Sequence, residues 1–183
     1  MLNFENDPHA FRAFITAHQG RVYNAILNRV QDVKDAEEIT QDVFIDVFRR
    51  PEAFRGEAAV GTWLYRIAMN KCVDHLRKKI RRNKWSINGL WKLSEKEDEP
   101  AAGDFFHPGI AAENREKASI LFKAMKQLPE KQHTAWMLSE MDDRSYKEIG
   151  EIMQLTVSSV ESLLFRARQN LKKILSGMYP GEL

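Results

Sequence analysis

Apolar side chains return every third or fourth position along nearly the whole chain, a rhythm that admits helices and little else. Phe11, Phe14, Ile15, Val22, Ile26, Leu27 and Val30 follow it, then Ile39, Val43, Phe44, Val47 and Phe48, then Trp63, Leu64, Ile67 and Cys72. No run of β-branched residues alternates with polar ones, so strands are not expected. Ala118, Leu121, Phe122, Met125 and Leu128 form a later stripe. Pro129 follows at a first-turn position, where no backbone N–H is needed.

The rhythm breaks between 84 and 112. KWSINGLWKLSEKEDEPAAGDFFHPGIAA mixes glycine, proline, an acidic run (Glu95, Glu97, Asp98, Glu99) and aperiodic aromatics, among them Trp85, Trp91, Phe105 and Phe106. The expected architecture is all-α, with two small helical domains at 8–83 and 113–177 joined by a flexible linker at 84–112. Fully extended, that linker reaches about 95–105 Å. With 183 residues and 43% apolar content, the chain can supply a core to each module. A formal charge of +2 is too mild to name a partner, so the distribution of charge carries the information.

In the second module, SYKEIGEIMQLTVSSVESLLFRAR (145–168) reads as two short helices and a tight turn. Ser145 and Glu148 fit a capping box, in which hydroxyl and carboxylate each satisfy an N-terminal N–H. Gly150 is small where helices must cross closely, and Thr156 suits the N-cap of the next helix. Val160, Leu163, Leu164, Ala167 and Leu171 share one side of that helix. The other side carries Ser158, Ser159, Glu161, Ser162, Phe165, Arg166 and Gln169. A helix that only packs a core has no use for an outward Phe165, whereas one in the major groove can touch a thymine methyl with it. The serines suit base edges or phosphates, Arg166 and Arg168 suit phosphates, and Glu161 can accept from a cytosine amino group. The second module is therefore expected to hold a DNA-reading helix-turn-helix.

In the first module, Trp63 to Trp85 holds Arg66, Lys71, Arg77, Lys78, Lys79, Arg81, Arg82 and Lys84 against a single acid, Asp74, a net of seven positive charges. Trp63, Tyr65 and Asn70 are interleaved. Phosphate-binding cations beside stacking aromatics suit single-stranded or distorted DNA, where each base stack contributes about 1–3 kcal/mol. Just upstream, Phe54-Arg55-Gly56-Glu57-Ala58-Ala59-Val60-Gly61-Thr62 reads as a loop able to cup a displaced base. The basic run taken alone also fits a solvated helix C-terminus. Upstream again, Asp35 to Asp46 carries an apolar stripe with acids on its remaining surface, which suits either solubility or a basic protein surface.

Other classes are disfavoured. His9, His18, His75, His107 and His133 are scattered, with no His-Glu-x-x-His, Gly-rich phosphate loop or nucleophile motif, so neither catalysis, nor a metal, nor a cofactor is expected. Asp142 and Asp143 read as a loop leading into the Ser145 cap. Cys72, the lone cysteine, excludes an intramolecular disulfide and lies on an apolar helix face. No secretory signal or membrane-spanning run is visible, so a cytoplasmic protein without membrane insertion is expected. A conventional helix-turn-helix regulator that binds operators unaided remains the alternative reading.

Together, DAEEITQDVFIDVFR, FRGEAAVGTWLYRIAMNKCVDHLRKKIRR and LPEKQHTAWMLSEMDDRSYKEIGEIMQLTVSSVESLLFRARQNL resemble the bacterial extracytoplasmic-function (ECF) sigma factors, over about four-fifths of the chain. The resemblance implies an alternative sigma factor that binds core RNA polymerase through its β′ clamp and β subunits, and that directs initiation at promoter DNA. It implicates Asp35, Glu38, Gln41 and Asp42 in docking on the β′ coiled coil. It implies that Phe54, Arg55, Gly56 and the loop through Thr62 hold a flipped base of the −10 element. Asn70 would lie beside that base, Trp63 near the melting fork, and Arg66, Lys71, Arg77 and Lys78 on the backbone. Ser162, Phe165 and Arg166 match its −35 contacts, and an anti-sigma factor is a further expected partner. Glu161 stands where the family is often basic, so a different −35 preference is expected. Val60 and Gly61 replace a common aromatic or basic residue. Gln154 replaces the usual turn glycine, and a positive φ is expected there.

Overall fold

The computed structural model describes residue 4 and residues 7–88 and 115–178. Most of the expected linker, with Trp91, Phe105 and Phe106, lies outside the described residues, as does the Trp85 side chain. Seven α-helices and no strand occur among the described residues. They are α1 (Pro8–Val30), α2 (Val33–Arg49), α3 (Val60–Asn88), α4 (Arg115–Met125), α5 (Glu130–Glu140), α6 (Tyr146–Met153) and α7 (Val157–Met178), with a single 3-10 turn at Pro51–Ala53.

Local chemistry sets the boundaries. The Asp7 carboxylate accepts from the N–H groups of His9 and Ala10, and Pro8 fills the first turn of α1. Gln31 ends α1 in the left-handed region, and Asp32 at once caps α2 through the Asp35 N–H. The two helices thus reverse direction within two residues. Their stripes bury Val22, Ile26, Val43 and Val47 against Leu64, Ala68 and Cys72 of α3. Burial pushes the Cys72 thiol up to about 12, which leaves it an inert core group.

Three local expectations are corrected. The loop ends at Ala59, because Val60, Gly61 and Thr62 already form the first turn of α3. α3 runs to Asn88, past the expected module boundary at 83, since nothing from Arg81 to Asn88 breaks a helix. Phe48 is 45% exposed and stacks on Phe11, ring centroids 4.9 Å apart, at the rim of the stripe rather than inside it.

The larger result concerns the two modules. α4, α5 and α7 share a core of Phe122, Met125, Leu128, Met137, Ala167 and Leu171. Yet Ala135, Leu138, Ile149, Ile152, Val160 and Leu164 belong to one continuous apolar cluster with the first module. α3 packs against α6, and α1 touches α5. Among the described residues, no helix is long and apolar enough to cross a membrane.

Candidate nucleic-acid interface and acidic docking face

The second-module hairpin is built by its caps. Ser145 Oγ accepts from the Glu148 N–H at 3.3 Å, and Glu148 Oε2 accepts from the Ser145 N–H at 2.9 Å. The Ser145 hydroxyl also donates to Glu148 Oε2 at 2.8 Å, and this bond, then the Ser145 N–H and Arg144, holds the Glu148 carboxyl below its usual range. Gln154 adopts φ 57°, ψ 48°, the positive φ expected of the turn. A Cβ at Gly150 would meet the Leu155 carbonyl oxygen at 2.8 Å, so the glycine makes room for the turn's own backbone rather than for a crossing helix. Thr156 Oγ1 accepts from the Ser159 N–H and starts α7, with the Ser159 hydroxyl 2.8 Å away.

α7 then divides cleanly. Val160, Leu164, Ala167 and Leu171 are buried, while Ser158, Glu161, Ser162, Arg166 and Gln169 face solvent and Phe165 is 62% exposed. Arg168 is exposed but donates to Glu140 at 2.9 Å, so it is held to α5. An uncovered aromatic flanked by hydroxyls and a guanidinium is a surface with the groups needed to touch base edges and phosphates.

On the first module, Phe54 and Trp63 meet with ring centroids 5.3 Å apart and planes tilted by 55°. With Gly56 (φ 75°) and Arg66 they line a cleft of about 400 Å³. Gln154 of the second module also lines it. Arg55 is exposed beside the cleft, whereas the Thr62 side chain is only 3% exposed and points into the fold. Asn70 and Lys78 face solvent. The other cations are already engaged. Arg66 Nη2 donates to the Glu151 carbonyl at 2.7 Å, Lys71 pairs with Asp46 at 2.7 Å, and Arg77 forks onto Glu130 at 2.9 and 3.1 Å.

On α2, Glu38, Gln41 and Asp42 are exposed. Asp35 differs, since its Oδ2 lies 3.0 Å from Lys79 Nζ and 3.1 Å from His75 Nε2 of α3. Burial pushes its carboxyl up, but the Lys79 hydrogen bond and the neighbouring His75 and Lys79 outweigh this and hold it below the usual range. Ile45 and Phe48, further along the helix, add exposed apolar surface, of which periodicity had counted only Phe48 in the apolar stripe.

Sequence reasoning missed the groups that meet α1 and α3 from the second module. Arg144 lies over the Tyr65 ring, and Asp142 hydrogen-bonds the Asn28 side chain instead of forming a solvated loop. Desolvation raises the Asp142 carboxyl to about 6. The partners of Arg144 and Asp142, the Tyr65 ring and the Asn28 amide, are uncharged, so no charge pattern in the sequence signals these contacts.

Comparison with known proteins agrees in extent. Residues 14–82 match the family model for Sigma-70 region 2, and residues 119–171 match that for Sigma-70, region 4. The RNA polymerase sigma-H factor of Pseudomonas aeruginosa is 34% identical over 169 residues, 92% of this chain and 88% of that protein. The ECF RNA polymerase sigma-E factor of Escherichia coli is 32% identical over 165 residues, 90% of this chain and 86% of that protein. In fold, the chain is like the Bartonella quintana sigma factor RpoE, solved in complex with the anti-sigma factor NepR. That likeness has a TM-score of 0.66 and 18% identity, and covers 91% of this chain and 96% of that one. CnrH, solved in complex with the cytosolic domain of CnrY, is similar with a TM-score of 0.64 and 19% identity, covering 93% and 90%.

Proposed function

We propose specific roles for its surfaces from the premise that this chain belongs to the ECF sigma factor family and is an alternative sigma factor, which directs promoter recognition by RNA polymerase. It is a DNA-binding initiation factor rather than an enzyme. The sigma-70 region 2 match lies within the first module and the region 4 match within the second.

In this reading the exposed arc of α7 reads the −35 element as duplex. Phe165 and Ser162 face base edges, Glu161 accepts from a cytosine amino group, and Arg166 and Ser158 hold phosphates. The Phe54–Trp63 cleft takes a −10 base as the strands part, with Asn70 beside it and Arg55, Arg66, Arg77 and Lys78 along the backbone. Unstacking costs a few kcal/mol per step, and one or two base–aromatic stacks of about 1–3 kcal/mol offset much of it. Polymerase contacts supply the remainder. Glu38, Gln41 and Asp42 form the docking face for the basic β′ clamp, while Asp35 serves chiefly to hold α2 to α3. Work of this kind places the protein in the cytoplasm, with an anti-sigma factor as a further partner.

The observation that carries this reading is the occurrence, in one chain, of an uncovered aromatic on a capped reader helix and an aromatic-lined cleft beside a basic helix. Run-off transcription with sigma-free core polymerase over a random promoter library tests it. Transcripts sharing two sequence elements are expected, and no initiation on any template would overturn the assignment.

A further inference from the structure

Two arginines stand two residues apart on α7 and meet different fates. Arg166 faces solvent on the reading arc and has no partner among the described residues. Arg168 is turned back onto the protein. Its Nη2 donates to Glu140 Oε1 of α5 at 2.9 Å, and the Tyr146 hydroxyl of α6 is a second acceptor. Both acceptors favour the charged guanidinium and hold it above its ordinary value. One side chain thus ties α5, α6 and α7 together.

The site of this tie is informative. Arg168 lies seven residues past Glu161, on nearly the same line of the helix and about 10 Å further along its axis. It therefore stands at the edge of the reading arc. Its partner is poorly placed for stability alone, since Glu140 is the last residue of α5, where the helix dipole disfavours a carboxylate. The two side chains are 54% and 39% exposed, and ion pairs open to water contribute little to folding. What remains for the pair to govern is the pose of α7.

Apolar packing alone would fix that pose poorly. Val160, Leu164, Ala167 and Leu171 bury one side of α7, but apolar burial is non-directional, and such a stripe resists a small rotation only weakly. Hydrogen bonds aimed from a planar fork are directional. Arg168 reaches the last residue of α5, while the Asn170 amide donates to Gln132 in its first turn at 2.8 Å. Held to opposite ends of α5, α7 has a set rotation. A turn of about 15° would carry a side-chain tip about 1.5 Å sideways, enough to break a hydrogen bond to a base edge.

We propose that Arg168 is a positioning residue for −35 recognition: it ties the reader helix to Glu140 of α5 and Tyr146 of α6, and so sets the rotation at which Ser162, Phe165 and Arg166 meet the duplex, without touching a phosphate itself. This separates it from Arg166, with which the sequence had paired it as a phosphate ligand. The proposal rests on the duplex-reading role given to α7 above.

The test uses the full chain bound to core polymerase and the duplex most enriched by that complex from a randomised promoter library, with affinity followed over a salt series. Arg166→Ala is the reference for a phosphate ligand and should lower the salt slope by about 1. Arg168→Ala should weaken binding about three- to fivefold, the upper range for an exposed ion pair, with the slope unchanged. Arg168→Lys should lose as much, because an ammonium keeps the charge but not the fork. Glu140→Ala should match them, and Glu140→Ala/Arg168→Ala should lose no more than either change alone. Tyr146→Phe, which removes one hydroxyl, should give a smaller loss of the same kind, and it serves if another variant loses its helical circular dichroism. A slope reduced by about 1 in Arg168→Ala, with Arg168→Lys near the parent, makes Arg168 a phosphate ligand and overturns the proposal. Tighter binding by Glu140→Ala, or unchanged affinity in every Arg168 and Glu140 variant, also overturns it. Should Phe165→Ala and Arg166→Ala both bind as the parent does, the reading role of α7 falls and the proposal with it.

Discussion

The Arg144 guanidinium lies 4.2 Å above the centre of the Tyr65 ring, although the two residues belong to different modules. Arg144 also bonds Glu148 within the capping box of α6. One side chain thus links the helix-turn-helix to the helix proposed to take the melted strand, and packing of the modules and order of the hairpin are coupled through it.

Acid titration should show two desolvated groups in opposition, buried His133 and half-buried Asp142. Desolvation, aided by Arg29 and Lys126, lowers His133 from 6.5 to about 3, so it contributes stability above pH 6.5 that is lost as pH falls. Asp142 is raised from 3.8 to about 6, so it contributes stability at low pH that is lost as pH rises through 6. Between about pH 6 and 4.5 the two slopes, each at most about 1.4 kcal/mol per pH unit, largely cancel. Asp142→Asn should therefore make the denaturant midpoint fall with acid across that window, and His133→Gln should make it rise. Parallel curves for both variants would refute the assignment.

Charge reversal at Glu38 and Asp42 should abolish capture by core polymerase and leave the melting temperature unchanged, because both are exposed and neither carboxylate has a partner among the described residues. Asp35→Ala should do the opposite in part, lowering the melting temperature by removing the acceptor of Lys79 and the carboxylate beside His75. Pull-down and thermal melts on the same three proteins separate docking from packing.

On α7, Arg166→Ala should weaken binding to many duplexes alike and reduce the salt slope by about 1. Glu161→Arg or Ser162→Ala should instead change which −35 bases are selected from a randomised library. A selection profile that stays the same after Glu161→Arg would remove that carboxylate from the reading set.

The hairpin turn offers a stability test with two signs. Gly150→Ala should destabilise, since its Cβ would press on the Leu155 carbonyl at 2.8 Å. Gln154→Gly should stabilise, because relief of a left-handed residue, about 1–2 kcal/mol, exceeds the added chain entropy of glycine, about 0.5–1 kcal/mol. Urea melts of the two variants should move in opposite directions.

What could be read from sequence were the features written within a few residues of one another. The Ser145–Glu148 cap, the left-handed Gln154, the outward Phe165 and the core position of Cys72 each follow from neighbours one helical turn away. The contact of the two modules could not be read, because it depends on pairs such as Arg66 with Glu151 and Arg77 with Glu130 that no periodicity links. A cation drawn on a helical wheel is equally suited to phosphate, carboxylate or peptide carbonyl. Gly56 and Gly61 look alike in sequence, yet only Gly56 takes a positive φ, while Gly61 is already inside α3. The exposure of Phe48 was likewise illegible, since a residue at the rim of a stripe has the same spacing as one at its centre.

Arg66 is held by a main-chain oxygen, not by a side chain. Replacing the residue at 151 cannot delete that acceptor, so substitutions that loosen the contact between the modules should be found at 130 and 144 and not at 151. Restraint anchored to the peptide itself is buffered against drift at that position.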